Sequence, residues 1–564
     1  MRRSLVLLLF ASIPLHAASQ APVRAPRGMV ASVDRIASQV GVDVMKKGGN
    51  AVDAAIAVGF ALAVTWPGAG NLGGGGFMLV RKADGAAEAI DYRERAPLAA
   101  TRTMYLDEKG EVVDGLSTRT YKAVGVPGTV AGMALAHKRH GKLKWADLVE
   151  PARKLAADGF LVSHHLAQTL AHESSQKRLN RWPESRRIFL RNGKLYEEGE
   201  RFAQPELAAT LARIQKNPRD FYEGETARIL AADMRKNEGL ITLEDLKRYE
   251  ATVREPVRGT YRGYQILSMP PPSSGGIALI GMLHMLEPLD LKALGWGSAH
   301  YIHNVVEVQR RAFADRASHL GDTDFVTVPV EGLLSRQYAM QRRRDIDPYR
   351  AMPSVTVKAG TPHEPTETTH FSIIDAEGNV VSNTYTINDL YGAGMTVPGL
   401  GFLLNDEMDD FTSRPGVANT WGLIQGDANA IQPRKRPLSS MTPTIVAKDG
   451  KFAFAIGSPG GPSIINTVLH VIVNVVDFGM DIQQAIESPR FHHQWLPDHI
   501  FWEEYGISPD TRAALVHMGH LFRDRPGFGD LPTIGDAQGV AVDPATGVRL
   551  GGSDPRRGGA AFGY

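Results

Sequence analysis

The order of apolar and polar residues predicts a helix-rich first part of the chain and a strand-rich last part. Residues 30–65 predict two helices, and the second is apolar on nearly all sides over residues 54–64. That run is too short to span a bilayer and predicts a buried core helix. Further helices are predicted at residues 145–157, 205–217, 225–237, 242–248, 277–286, 300–319 and 464–476.

From residue 369 onward the pattern changes to strands and turns. Residues 369–375 and 380–386 flank an Ala-Glu-Gly-Asn turn, which predicts a β-hairpin. Other strands are predicted at residues 77–81, 253–269, 443–448 and 452–456. Residues 345–367, just before the hairpin, are rich in proline, threonine and lysine and lack apolar periodicity, so they predict an exposed linker and the clearest boundary in the chain.

Composition narrows the class of protein. A length of 564 residues fits two to four domains or one large α/β body. With 63 basic and 61 acidic residues, the net charge of +2 gives no bulk electrostatic reason to expect a nucleic acid or an anionic membrane as partner. The hydrophobic content of 43% and the charged content of 22% are typical of a soluble globular protein.

The N-terminus has the pattern of an export signal. Two arginines follow Met1, an apolar run covers residues 5–11, and small residues lead to Ser19. This order predicts a cleavable signal peptide over residues 1–18, with an uncleaved anchor as the alternative. The chain has no cysteine, which excludes disulfides and suits an oxidising compartment. We therefore expect an exported protein, periplasmic or secreted.

The most informative single residue is Thr368, directly before the predicted hairpin. A threonine hydroxyl needs a base to act as a nucleophile. A cut between Glu367 and Thr368 would create an α-amine beside Oγ, with a reference pKa of about 7.7–8.0. The alternative is an ordinary β-forming threonine. Pairing around the hairpin would bring Thr386 and Asn388 near this position, where they could orient such an amine.

Two other segments carry candidate chemistry. Residues 405–411 hold four carboxylates, among them Glu407 and Asp410, which fit a metal, a substrate ammonium or a solvated turn. Ser439 and Ser440 are donors for a carboxylate, and no Gly-x-Ser-x-Gly elbow surrounds them.

The remaining candidates are glycines, one arginine and paired histidines. The adjacent N–H groups of Gly460 and Gly461, at a strand-to-helix junction, fit an oxyanion hole or an ordinary turn. Arg93 follows a strand and could bind a carboxylate. The pairs His492-His493 and His137/His140 lack a third ligand at metal-binding spacing, so we expect them to be structural and predict no metal.

Taken together, these segments closely resemble the γ-glutamyltranspeptidase family from about residue 27 to the C-terminus. The resemblance rests on Asn-Leu-Gly-Gly-Gly-Gly-Phe-Met at 71–78, Val-Pro-Gly-Thr-Val-Ala-Gly at 126–132, Thr-Thr-His at 368–370, Met-Asp-Asp-Phe at 408–411, Arg-Pro-Leu-Ser-Ser-Met at 436–441 and Gly-Ser-Pro-Gly-Gly at 457–461. It implies the N-terminal nucleophile hydrolase fold, an α+β protein with four αββα layers. It also implies self-cleavage into a large subunit, residues 19–367, and a small catalytic subunit, residues 368–564.

The resemblance also assigns roles. Thr368 would attack the γ-glutamyl carbonyl of glutathione, with its own amine as base and Thr386 positioning it, and Gly460 and Gly461 would hold the oxyanion. The glutamyl α-carboxylate would be bound by Arg93, Ser439 and Ser440, and the α-ammonium by Asn388, Glu407 and Asp410. Water, an amino acid or a dipeptide would accept the γ-glutamyl group, and no cofactor is implied.

Two positions depart from the family pattern. At Glu407 relatives have an amide, and the carboxylate here should favour the ammonium electrostatically. Residues 415–430 match a lid loop, with Trp421 at a position where a tyrosine is often found. A tryptophan at this position can still close the loop over the pocket by stacking. It has no phenolic hydroxyl, which puts a phenolic hydrogen bond as the latch in doubt. Two alternatives to a γ-glutamyl enzyme are a related acylase of the glutaryl-cephalosporin type and a non-catalytic exported protein of the same fold.

Overall fold

Two large antiparallel sheets face each other, and helices cover the outer side of each. The computed structural model describes residues 19–360, 369–527 and 532–564, so the predicted signal peptide, Glu367 and Thr368 lie outside the described residues. Sheet I has the strand order β1-β17-β16-β13-β12-β9-β8, and sheet II has the order β18-β2-β10-β11-β3-β4-β7. The predicted αββα fold is confirmed.

The strands of the described residues, in chain order, are β1 Val23–Ala25, β2 Met29–Ser32, β3 Gly75–Arg81, β4 Ala87–Asp91, β5 Phe160–Leu161, β6 Arg201–Phe202, β7 Thr252–Arg254, β8 Val257–Tyr261, β9 Tyr264–Ser268, β10 Thr369–Ile374, β11 Val380–Thr386, β12 Thr444–Lys448, β13 Lys451–Gly457, β14 Phe491–His492, β15 Phe501–Trp502, β16 Gln538–Val542, β17 Arg549–Ser553 and β18 Ala560–Gly563. The short strands β5 and β6 pair with each other, as do β14 and β15.

The helices are α1 Arg35–Lys46, α2 Ala51–Thr65, α3 Thr129–His140, α4 Trp145–Asp158, α5 His164–Ala171, α6 Glu173–Leu179, α7 Pro183–Phe189, α8 Pro205–Lys216, α9 Asp220–Glu223, α10 Glu225–Lys236, α11 Leu243–Lys247, α12 Gly275–Leu286, α13 Leu291–Leu294, α14 Ala299–His319, α15 Val330–Leu334, α16 Arg336–Arg343, α17 Ser463–Val476, α18 Ile482–Glu487 and α19 Pro509–His517. Within the described part of the chain, none of them combines the length and apolarity needed to cross a membrane.

The core follows from the patterns along the chain. Every residue of α2 is buried, as its apolar sequence predicts, and Asn50 caps its first turn by accepting from Val52 and Asp53. Helices α1, α2 and α3 pack on sheet II, whereas α12, α17 and α18 pack on sheet I. Between the sheets, Phe77 and Ile374 of sheet II share an apolar layer with Ile445 of sheet I.

The predicted hairpin is confirmed with its register. Thr369 pairs with Tyr385, and Ile374 pairs with Val380. One difference from the sequence-based prediction and one agreement with it concern neighbouring segments. Residues 29–32 form β2 instead of the start of a helix, because this segment pairs with β10 and β18. Residues 345–360 contain no helix or strand and are mostly exposed, as expected for a linker, although Ser354 and Val357 are buried.

Segments from both sides of the predicted cut alternate within each sheet. In sheet II, β10 and β11 lie between β2 and β3, and β18 extends the sheet beyond β2. In sheet I, β12 pairs with β9, and β1 pairs with β17. The chain before residue 360 and the chain after residue 369 are therefore joined by backbone hydrogen bonds at several strand pairs.

Candidate active site

The hairpin end carries a hydroxyl whose proton is available for donation. Thr386, the last residue of β11, is fully buried and follows Tyr385, the partner of Thr369. Its Oγ1 accepts a hydrogen bond from the backbone N–H of Asn388 at 2.8 Å. Because a hydroxyl has one proton and two acceptor positions, Thr386 can still donate to a neighbouring group. The predicted nucleophile, Thr368, lies outside the described residues and directly precedes Thr369 in the sequence.

The glycine turn after β13 presents two adjacent N–H groups. Gly460 and Gly461 have φ values of +130° and +58°, in the region that favours glycine. Their carbonyl groups accept from the first residues of α17, at 3.1 Å from Ser463 and 3.0 Å from Ile464. Neither glycine N–H has an acceptor among the described residues. Two free donors at the start of a helix suit a negatively charged oxygen.

Arg93 lies at the centre of a fully buried charge cluster. It follows β4, and its guanidinium forms ion pairs with Glu407 and Asp410. Its Nε donates to the carbonyl oxygen of Pro437 at 3.1 Å. The groups that the sequence analysis assigned to opposite ends of a zwitterion therefore contact each other in this structure. Burial, with like charge from the neighbouring carboxylates, raises the pKa of Glu407 well above its ordinary value.

Glu94 also belongs to this cluster and was not predicted from the sequence. Its fully buried carboxylate lies 3.8 Å from the Arg93 guanidinium. Burial raises the pKa of Glu94 to about 7. The signal was present in the sequence, because Glu94 directly follows Arg93. The cluster thus offers one cation and three carboxyl groups, a surplus of acid that suits a ligand with an ammonium group.

The two serines adjoin Arg93 and have protons to donate. Arg93 also donates to the carbonyl oxygen of Leu438 at 3.3 Å, one residue before Ser439. Ser439 Oγ accepts from the backbone N–H of Met441 at 3.1 Å, and Ser440 Oγ accepts from Arg316 at 3.2 Å. With an acceptor position of each oxygen occupied, both hydroxyl protons can point to a carboxylate. Arg316 was not identified from the sequence, because it lies on α14, far from the serine motif.

A second ion network, also missed from the sequence, lies behind these groups. Asp91 Oδ1 accepts from the backbone N–H of Arg93 at 3.0 Å and lies 3.2 Å from Arg436 Nε. Its Oδ2 accepts from Arg254 at 2.7 Å. Arg436 directly precedes the segment that contains Ser439, and its backbone N–H donates to Asp322 at 2.8 Å. This network ties the Arg93 segment to the serine segment.

The loop at residues 415–430, predicted to be a lid, is attached to Asn388 by its aromatic residue. The indole N–H of Trp421 donates to Asn388 Oδ1 at 3.0 Å. The Asn388 amide donates in turn to the carbonyl oxygen of Asp406 at 3.0 Å, beside Glu407. The backbone N–H of Thr420 donates to Asp409 at 3.0 Å. The indole therefore supplies the hydrogen bond that the absence of a tyrosine had put in doubt.

The histidines flagged in the sequence bind protein groups. His492 lies within hydrogen-bond distance of Asn466 and Gln494. Within the described ranges, the group of side chains best arranged for an ion is His303, Glu307 and His520. There the two imidazoles lie 2.8 Å apart as a hydrogen-bonded pair, and arginines bind the carboxylate. We assign no metal to it.

Comparisons with known proteins identify the family of the chain. The sequence profile described as Gamma-glutamyltranspeptidase matches residues 37–564. A protein named glutathione hydrolase proenzyme from Escherichia coli (strain K12) is 48% identical over 538 residues, covering 95% of this chain and 91% of that protein.

Solved structures are similar as well. The cephalosporin acylase from Bacillus halodurans superposes with a TM-score of 0.86 at 27% identity, covering 99% of both chains. The Helicobacter pylori gamma-glutamyltranspeptidase gives a TM-score of 0.57 at 44% identity, covering 61% of this chain and 97% of that one. The profile match across nearly the whole chain, together with the identity to the Escherichia coli protein, shows that this protein belongs to the γ-glutamyltranspeptidase family.

Proposed function

We propose that this protein cuts its own chain between Glu367 and Thr368 and then hydrolyses or transfers γ-glutamyl groups. The donor is glutathione or one of its conjugates, and the acceptor is water, an amino acid or a dipeptide. Family membership supports the reaction class, since the Escherichia coli relative is named a glutathione hydrolase proenzyme. The proposed chemistry uses side chains and backbone groups of the protein itself.

In the proposed mechanism, Thr368 is the nucleophile. Its α-amine, with a reference pKa of about 7.7–8.0, takes the Oγ proton as Oγ attacks the γ-glutamyl carbonyl carbon. A C–O bond forms, the C–N bond to the leaving amine breaks, and that amine receives the proton. Water or an amine acceptor then attacks the ester, and Oγ regains a proton. Thr386 holds the amine in place.

The N–H groups of Gly460 and Gly461 are proposed to bind the oxygen that becomes negatively charged. They suit this role because both donors lack an acceptor among the described residues. Loss of one such donor costs roughly 100–1,000-fold in rate.

The observation that carries the proposal is the buried cluster of Arg93, Glu407 and Asp410. Charges of both signs are enclosed together, with the free hydroxyl protons of Ser439 and Ser440 beside them. A γ-glutamyl group ends in an α-carboxylate and an α-ammonium, which match the arginine and serines on one side and the carboxylates on the other. Asn388 adds a polar contact next to the acidic turn.

Two rival functions fit the site less well. A glutaryl-cephalosporin acylase would bind a group that has a carboxylate and lacks an amine, although the overall fold resembles a cephalosporin acylase. Glu407 and Asp410 would then be buried without a cation from the substrate. A non-catalytic protein would have no use for the unpartnered donors at Gly460 and Gly461.

The proposed products of cleavage are a large subunit, residues 19–367, and a small subunit, residues 368–564. They would remain together as a heterodimer, because strands from both segments alternate in sheets I and II. Separating them would break the strand pairs β2–β10, β3–β11 and β9–β12. We also propose export to the periplasm or the medium after removal of residues 1–18. N-terminal sequencing of the large fragment from cells tests this, and a start near Ser19 is expected.

The test of self-cleavage is N-terminal sequencing of the purified protein. We expect two fragments, the smaller beginning at Thr368, and release of glutamate from glutathione. Thr368→Ala should remain one chain without activity. Thr369→Val is the matched control, because it keeps the shape of the side chain and the Thr369 hydroxyl has no partner among the described residues. An active single chain, or an active Thr368→Ala protein, would refute the proposal.

The test of donor binding is Arg93→Ala. This variant should still cut itself, because Arg93 is assigned to the donor and not to cleavage. It should need a much higher donor concentration for half-maximal rate. Product analysis with and without a dipeptide acceptor separates transfer from hydrolysis, and glutaryl anilide cleaved faster than γ-glutamyl anilide would favour the acylase.

A further inference from the structure

The His370 side chain lies between the two sheets, at the start of the hairpin. It is the second residue of β10 and follows Thr368 by two positions in the sequence. Its side chain is fully buried. His370 pairs across the hairpin with Thr384, and its Nδ1 lies 2.9 Å from Thr384 Oγ1. On the other side of the ring, Nε2 lies 2.8 Å from Ser372 Oγ.

The imidazole also touches the strand that leads to the glycine turn. A Cβ atom on Gly457, the last residue of β13, would lie 2.4 Å from His370 Nδ1. The ring therefore occupies the space that a side chain at this position would fill. Gly457 lies three residues before Gly460, so the imidazole separates the start of β10 from the segment that carries the proposed oxyanion hole.

The hydrogen bonds fix the direction of donation through the ring. Ser372 Oγ donates its one proton to the carbonyl oxygen of Gln538 at 3.1 Å, so it must accept from His370 Nε2–H. Nδ1 then accepts from the Thr384 hydroxyl. Gln538 is the strand partner of Gly457. A directed chain of hydrogen bonds thus runs from sheet II through His370 to the strand beside the glycine turn.

The ring is neutral throughout the range in which such an enzyme works. Burial lowers the pKa of His370 to about 3. A neutral imidazole with both nitrogens engaged in fixed hydrogen bonds does not exchange protons with a substrate. Its contribution is geometric.

We propose that His370 is a positioning residue that fixes the start of β10, the strand that follows Thr368 in the sequence, relative to the oxyanion turn at Gly460 and Gly461. The inference rests on the proposed function. Without the ring, β10 and the end of β13 can shift relative to each other, and small displacements of reacting groups reduce rates strongly. Donor binding is unaffected, because Arg93 and the serines stand on other segments.

The experiment compares His370→Ala, His370→Asn and His370→Gln with a control, His470→Gln, which replaces another buried histidine outside this chain of hydrogen bonds. The readouts are cleavage at Thr368, and kcat and KM for a chromogenic γ-glutamyl anilide. For His370→Ala we expect kcat to fall at least tenfold and KM to stay within about twofold. The asparagine and glutamine variants, which each keep one of the two hydrogen bonds, should recover part of kcat.

Several results would overturn the inference. One is a processed His370→Ala enzyme with kcat within twofold of wild type. Another is a pH profile of kcat that loses its acid limb in His370→Gln, because this would show that the ring titrates. If His370→Ala stays uncut, the kinetics of His370→Gln and Ser372→Ala test the inference instead. A loss of kcat without a change in KM supports the positioning role of His370, and normal kinetics refute it. Thr368→Ala is run in parallel, since an active Thr368→Ala protein would refute the proposed function instead.

Discussion

Replacement of Asp91 by asparagine tests whether the buried ion network holds the proposed donor-binding groups in place. The Asp91 carboxylate contacts the backbone of Arg93 and the side chains of Arg254 and Arg436. Asp91 and Arg436 are both fully buried. Asparagine keeps the size of the side chain and an acceptor oxygen for the Arg93 N–H. It removes the negative charge that faces the two arginines.

The expected loss of stability depends on the partners that remain for Arg254 and Arg436. Removing one member of a buried ion pair costs about 3–5 kcal/mol. Asp324 still lies 2.9 Å from Arg254 and 3.6 Å from Arg436, so we expect the lower end, a loss of about 3 kcal/mol in the free energy of unfolding. The matched control is Asp324→Asn, because its side chain faces the same arginines and is 42% exposed. Its cost should be about 0–1 kcal/mol.

Urea denaturation of the processed protein measures both costs, and donor kinetics measure the functional effect. Arg436 precedes the serine segment, so its displacement should raise KM for the donor several-fold and change kcat less. If the free energies of unfolding of Asp91→Asn and Asp324→Asn differ by less than about 1 kcal/mol, burial of the Asp91–Arg436 pair does not determine its contribution to stability. If KM does not change, the network does not support donor binding.

Three further predictions concern the lid, a buried histidine and a glycine. Trp421→Phe removes an indole hydrogen bond worth about 0.5–1.5 kcal/mol, so amide exchange in residues 417–423 should accelerate about two- to tenfold while the unfolding midpoint changes little. Burial lowers the pKa of His470 to about 3, whereas the same imidazole in the unfolded chain titrates near 6.5. As the pH falls below 6.5, the unfolded chain binds a proton that the folded protein does not bind. The stability from this group is therefore present above pH 6.5 and lost as pH falls. In urea titrations, His470→Gln should gain about 1.4 kcal/mol relative to wild type per pH unit below 6.5; a constant difference would contradict this. Gly74→Ala would place Cβ 1.9 Å from the Thr386 carbonyl oxygen and should abolish activity, whereas Gly281→Ala, with open space around it, should not.

The elements that sequence predicted best are those determined by local pattern. Helix α2 is apolar on all sides because it is buried on all sides, and the β10–β11 hairpin is specified by two strands around a short turn. The C-terminal strands β16, β17 and β18 were not predicted. They are short and rich in glycine and alanine, and they exist because the sheets provide pairing partners. A single-sequence pattern contains no information about such partners.

The same distinction applies to the site. Ser439, Ser440 and the glycine turn were found because their residue types are clustered in sequence. Asp91 and Arg316 were missed because each acts on a segment far along the chain. Within the cluster itself, Arg93, Glu407 and Asp410 were predicted from the sequence as charged candidates. That Arg93 forms ion pairs with the two carboxylates was not predicted. Pairing depends on the three-dimensional distance between segments on either side of the predicted cut.

That pairing explains how the proposed donor would be selected. Arg93 binds Glu407 and Asp410 in this structure, so a ligand must replace these contacts at both ends. A carboxylate alone would compete for Arg93 and leave two buried carboxyl groups without a cation, at a cost of several kcal/mol. An ammonium alone would leave Arg93 unpaired. Only a ligand with both charges at the right spacing compensates each group, so γ-glutamyl anilide should be cleaved much faster than glutaryl anilide. Equal rates would show that the cluster does not discriminate by charge.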